Sequence, residues 1–180
     1  MKLLRMALVV LSLGLTLALV ARTVTSNEAT IAQGQDVYIE LAPVDPLSLV
    51  QGYYMTLSMP VRRDASTRLE PAWWRDRLAI FDRDDRRVGR FVRVLDTDES
   101  AGDVALEPDQ VLLPVSWVGD RTVEVQPNSF LFEDGQAELF ERARYGHFRA
   151  LGDGRSVLIG LADAELQPLG RIPRSIEARP

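Results

Sequence analysis

An uncharged apolar run, "MALVVLSLGLTLALVA" at residues 6–21, follows Lys2 and Arg5 and is closed by Arg22. As a helix rising 1.5 Å per residue it covers about 24 Å, and Thr23 and Val24 bring it near the lower limit for crossing a bilayer. A cleavable signal would need small residues at the −3 and −1 positions. A cut after Ala21 places Leu19 at −3, and a cut after Ser26 places Val24 there. An uncleaved anchor over residues 1–26, in contact with lipid through residues 3–24, is therefore favoured over a signal peptide cut after Ser26, where Val24 at −3 is tolerable; both readings place the domain on the same side of the membrane. Lys2, Arg5 and the amino terminus hold the leading end in the cytoplasm. A single pass through the inner membrane then puts the rest of the chain in the periplasm. Residues 27–171 are expected to form one domain, and residues 172–180 a disordered tail.

Removing the anchor leaves roughly 150 residues, enough for one core. Basic and acidic residues number 21 and 26 and are interspersed, for a net charge of −5. No basic footprint for nucleic acid exists. Without cysteine, neither a disulfide framework nor a thiolate metal site can form.

Beyond the polar connector "SNEATIAQGQ", "DVYIELA" (residues 36–42) alternates Val37, Ile39 and Leu41 against Asp36, Tyr38 and Glu40, the period of a half-buried strand. Pro43 and Pro46 end it. A second strand is expected over "YYMTLSMPV" (53–61), with Tyr53, Met55, Leu57 and Met59 on one face and Tyr54, Thr56 and Ser58 on the other. "RLAIFDRDDRRVGRFVRVLDTD" (77–98) reads as a hairpin around its charged centre, and "QVLLPVSWVGDRTVEVQ" (110–126) as another, turning at Gly119 and Asp120. Pro114 in its first arm points to a sheet edge or a bulge. "EDGQAELFERARYG" (133–146) carries the one helical period outside the anchor, with Gly146 as its C-cap. "HFRALGDGRSVLIGL" (147–161) closes as a last hairpin. The fold class expected is mainly β: an N-terminal transmembrane helix, then one antiparallel β-rich domain with one short helix.

The stretch "PVDPLSLVQGYYMTL" (43–57) reads as a corner. Pro43 and Pro46 force a turn, Asp45 bonds the amides that follow, Leu47 and Leu49 plug the corner, and Gly52 resets the chain. This stretch, with "FLFEDGQAELFERARYGHFRA" (130–150) and "GRSVLIGLADAELQPLG" (154–170), resembles the GDYXXLXY family of uncharacterised bacterial membrane-anchored proteins. The resemblance carries structural roles onto Pro43, Asp45, Pro46, Gly52, Tyr54 and Leu57. In the later block it carries them onto Phe132, Gly135, Ala143, Arg144, Tyr145 and Gly146. Two motif positions depart: Tyr53 stands in place of Asp, and Met59 in place of the final Tyr. No activity comes with the resemblance; it implies a topology and an integral membrane protein as neighbour.

Sites of recognisable chemistry fare poorly against plain structural readings. Ser48 before the Gly52-led strand suggests a signal-peptidase-like nucleophile, which needs a lysine base. Lys2 is the one lysine, and it sits across the membrane. His147, the one histidine, reads as a structural residue at a helix end rather than a base. Asp96, Asp98, Ser100 and Glu107 match positions 1, 3, 5 and 12 of a calcium loop, but Ala101 occupies the position that needs glycine. Trp73, Trp74 and Trp117 read as packing or bilayer-surface aromatics. No catalytic residue, metal or cofactor is expected. The leading expectation is a non-enzymatic accessory of an integral membrane protein. The alternative is a cell-envelope hydrolase or carbohydrate-binding enzyme using carboxylates that spacing does not place.

Overall fold

The computed structural model describes residues 2–42, 54–62, 77–96, 99–117, 122–133 and 135–170. Its first element, α1 (Lys2–Gln33), is one helix of 32 residues, about 48 Å long. The part over Arg5–Gln33 is long and apolar enough to cross a membrane. Leu8, Leu11, Leu15 and Leu19 are each more than half exposed, as lipid-facing side chains would be. Ser12, Thr16, Thr23 and Thr25 donate their hydroxyls back to carbonyls one turn earlier. These hydroxyls are satisfied without water.

Residues 26–33 continue α1, so the expected polar connector is helix. Ser26 and Asn27 begin that part, and Thr30 is buried against the domain. The helix stops at Gly34, whose amide donates to the Thr30 carbonyl at 2.8 Å. A Cβ at Gly34 would lie 2.5 Å from that carbonyl oxygen and 3.0 Å from the Ala150 nitrogen, so the junction admits glycine alone.

Among the described residues eleven strands follow, as three sheets. The first contains β1 (Gln35–Glu40), β9 (Tyr145–Ala150), β10 (Ser156–Ala162) and β11 (Pro168–Leu169), in the order β1-β9-β10-β11. A second is the pair β2 (Tyr54–Thr56) and β8 (Ser129–Leu131). The third runs β3-β7-β6-β4-β5, from β3 (Pro60–Arg62), β7 (Thr122–Val125), β6 (Gln110–Trp117), β4 (Arg77–Arg83) and β5 (Gly89–Val94). All these ladders are antiparallel. A bridge between Tyr38 and Val88 joins the first and third sheets where β1 meets β5.

The sheets wrap one core: Val37 and Ile39 of β1, Phe148 and Ala150 of β9, Phe81 of β4 and Leu113 of β6 are buried together. Alternation alone puts them there, because successive strand residues face opposite sides. A smaller cluster of Ile80, Leu95 and Leu112 lies apart from it, with Leu78, Val104 and Leu106 packed against it.

Mainly β with a long N-terminal helix is the architecture found, and the hairpins β4–β5, β6–β7 and β9–β10 lie where alternation placed them. Three local expectations need correction. "YYMTLSMPV" is not one strand: β2 pairs with β8, the chain breaks over residues 57–59, and β3 pairs with β7. Both sides of the break still bury Met55, Leu57 and Met59. The helix expected over 133–146 is a single turn, α2 (Ala137–Phe140). Gly146 is therefore no C-cap; it pairs with Ile39 inside β9. Pro114 lies in β6, the central strand of its sheet rather than an edge. β7 pairs only with Val115, Ser116 and Trp117, and the Pro114 carbonyl takes the Gln126 amide where that ladder ends. Proline is tolerated there because the reciprocal donor is not required. The corner residues Pro43, Asp45, Pro46, Leu47, Leu49, Gly52 and Tyr53, the turn at Gly119 and Asp120, and the tail 172–180 lie outside the described residues.

Candidate functional site

Two features stand out, the first where α1 meets the domain. The first is an ionic clamp. Strand alternation turns Asp36 and Tyr38 of β1, and His147 and Arg149 of β9, away from the core, and the register sets Asp36 opposite Arg149 and Tyr38 opposite His147. His147 Nε2 lies 2.9 Å from Asp36 Oδ1, and Arg149 Nη1 lies 3.0 Å from the same oxygen. Arg87, at the tip of the β4–β5 hairpin, reaches Asp36 Oδ2 at 3.1 Å. The His147 hydrogen bond, aided by Arg149 and opposed by partial burial, holds the Asp36 carboxyl down at about 2. Ionised Asp36 only accepts, so His147 carries its proton on Nε2. Tyr38 stacks on the imidazole with ring centroids 4.3 Å apart. Burial and the Asp36 charge raise its phenol above the ordinary value.

Arg149 also turns the other way. Its Nε donates to the Ile31 carbonyl at 2.9 Å and its Nη2 to that of Ala32 at 3.4 Å. These are carbonyls of the last turn of α1, which have no partner within the helix, and a cation there also complements the helix dipole. One guanidinium thus joins the helix end to a carboxylate of the sheet. Arg155 adds a bond to Ser26 Oγ at 3.1 Å. The clamp is no general-base site, because both Asp36 oxygens are already engaged.

The second feature is a cleft of about 390 Å³ between β8 and the β10–β11 edge. Phe130, Phe132 and Phe140 form an aromatic cluster on one side, with Phe140 at 5.1 Å from Phe130 and 5.5 Å from Phe132. Ile159, Gly160 and Leu169 line the other side. Among the described residues that line it, Glu133 is the one acidic side chain.

A sequence profile described as GDYXXLXY protein matches residues 16–161. The chain belongs to the GDYXXLXY family. No curated protein and no solved structure matches it.

The described GDYXXLXY residues are spread over several elements. Tyr54 pairs through its backbone with Leu131. Leu57, Ala143 and Arg144 meet around a small cavity of about 40 Å³ beside Leu41 and Ser58. Phe132 joins the aromatic cluster, and Gly135 turns the chain toward α2 with φ 81°. Tyr145 pairs with Glu40 and Ala162 on its two sides. Gly146 is buried with no room to spare: a Cβ would sit 3.0 Å from Phe148 Cε2 and 3.3 Å from Met59 Sδ. Met59, at the family's final Tyr position, is thus a core residue, 1% exposed. Pro43, Asp45, Pro46 and Gly52 lie outside the described residues, as do Ser48, Trp73, Trp74 and Asp98.

His147 is not a helix-end residue but the centre of a strand, held by Asp36. Of the calcium-loop residues, Asp96 gives its amide to Glu99, and Glu99 is bound by Arg93 at 2.6 and 3.1 Å. Among the described residues no three of His, Asp and Glu come together as a metal site. The clamp residues Asp36, Arg87 and Arg149 were not singled out by sequence. Alternation marks Asp36 and Arg149 as outward-facing, but their pairing needs the β1–β9 register, and those strands lie over a hundred residues apart.

Proposed function

We propose that this GDYXXLXY protein is a non-enzymatic accessory that holds a β-rich domain on the periplasmic face of the inner membrane and binds an integral membrane protein there. The observation that carries this reading is the continuity of α1 with the sheet. A helix able to cross a bilayer runs unbroken into the domain, and its end is locked by Arg149 and Asp36. A flexible tether would only keep a domain near the membrane. A clamped helix fixes its orientation, which is useful to a protein that must present one face to a partner in the same bilayer. Among its described lining residues the cleft offers one carboxylate, Glu133, where glycoside cleavage needs two, which favours the binding reading.

The test is purification of the tagged full-length protein from native membranes in mild detergent, with a chain lacking residues 1–26, exported by a foreign signal, as control. One integral membrane protein recovered reproducibly with the full-length chain supports the reading, and its retention by the control places the contact in the domain. Recovery of no specific protein from either contradicts it.

A further inference from the structure

The sheet that carries the anchor is open along one edge. β10 pairs with β9 over its length, but on its other side β11 reaches only Leu161 and Ala162. Among the described residues no strand pairs with residues 156–160 on that side, about 16 Å of strand. Across the gap stands β8, whose one described partner is β2. Two cavities fill the gap and share Phe130 and Leu131. One, of about 380 Å³, lies against Ser156, Val157 and Leu158; the other, of about 390 Å³, lies against Ile159 and Gly160. They form one groove between two strand edges.

We propose that this groove receives an extended segment of an integral membrane protein, added antiparallel to β10 as a continuation of β11. The proposal rests on the accessory reading above and names the surface that reading requires. An open edge presents amides and carbonyls that another backbone satisfies best, while side chains at alternate positions supply specificity. Gly160 keeps the approach clear: nothing lies within 4 Å of where its Cβ would be. Glycine inside a strand suits a position where a second backbone comes close. Ser156 Oγ, on the same edge, is buried without a partner among the described residues. Leu131, 76% exposed on the opposite wall, offers an apolar contact. The β-bulge between Leu158 and Gly160 interrupts the regular edge, which disfavours pairing between two copies of this chain.

Position identifies the source of the strand. The groove begins beside Asn27 of α1, three residues and about 5 Å beyond Val24, the end of the stretch expected to contact lipid. That end lies at the bilayer surface when α1 spans. A chain leaving or entering a neighbouring transmembrane helix passes at this height, so the occupant is a segment flanking such a helix, with apolar residues at alternate positions.

The test uses the full-length protein in native membranes, with a photoreactive phenylalanine analogue at Leu131 in the groove or at Val92 on the far β5 edge. The expected result is a cross-link from Leu131, and not from Val92, to residues beside a transmembrane helix of one membrane protein. Gly160→Trp should cut that cross-link and the co-purification at least tenfold without moving the melting transition, and Gly160→Ala should leave both intact. If Gly160→Trp lowers the melting transition, Ser156→Arg at the other end of the groove gives the same reading. Cross-links from Leu131 to residues 171–180 of its own chain, or to a second copy, overturn the proposal, as does an undiminished cross-link in Gly160→Trp. A cross-link from Val92 alone overturns the groove and leaves the accessory reading standing. No cross-link from either site and no co-purified membrane protein removes both.

Discussion

Asp36 is the residue on which the junction turns. Its carboxylate is 20% exposed and takes His147, Arg149 and Arg87 at once. Its folded pKa of about 2 lies below the ordinary carboxylate value, so the unfolded chain binds the proton more readily than the folded one. The stabilisation is complete above about pH 4, worth about 2 kcal/mol, and is lost as pH falls through about 2. Asp36→Asn should lower stability at pH 7 by about 2–3 kcal/mol, because two arginines and a histidine lose the negative charge they share and one of its two acceptor oxygens becomes a donor. Urea titrations at pH 7 and at pH 3 check it: the difference between variant and wild type should shrink at the lower pH, and an equal difference at both would count against the clamp. The polar side of β1 was legible as alternation in "DVYIELA". What Asp36 binds was not, since nothing local in a sequence reports which strand lies alongside.

Among the elements, α1 shows best what a sequence conceals. A helix long and apolar enough to cross a membrane was legible from the apolar run, but residues 26–33 carry no strong apolar stripe and read as a connector. They are helical because Thr30 is buried, Arg149 holds the Ile31 and Ala32 carbonyls, and Arg155 holds Ser26, all through partners more than a hundred residues away. The opposite error occurred over residues 133–146, where a helical period was present but only one turn formed. Residues 145–150 are claimed by β1 and β10 instead, and six paired positions on each side outweigh a local preference. Arg149→Ala should free the last turn of α1 at a cost of about 1–3 kcal/mol in local stability. Hydrogen exchange of the amides of residues 30–34 should then speed up about tenfold or more, while the core strands β4 and β6 keep their protection. Unchanged exchange at the helix end would mean that Arg149 does not hold it.

At the scale of the whole molecule, the described strands form three sheets around one core, with a gap between β8 and β10, joined to a helix long and apolar enough to cross a membrane. The mainly β class was legible because hairpins with alternating faces dominate the chain, and membership of the GDYXXLXY family was legible from blocks spread across it. The gap between β8 and β10 was not, because it depends on which strands fail to meet. Both proposals assume that α1 stays attached to the domain, and that assumption is the central claim. Intact mass spectrometry of the protein extracted from its native membranes tests it most directly. The account predicts a membrane-bound species near the 20.1 kDa of the whole chain, with residues 1–26 retained. A species released by osmotic shock, its mass short by residues 1–21 or 1–26, would contradict it.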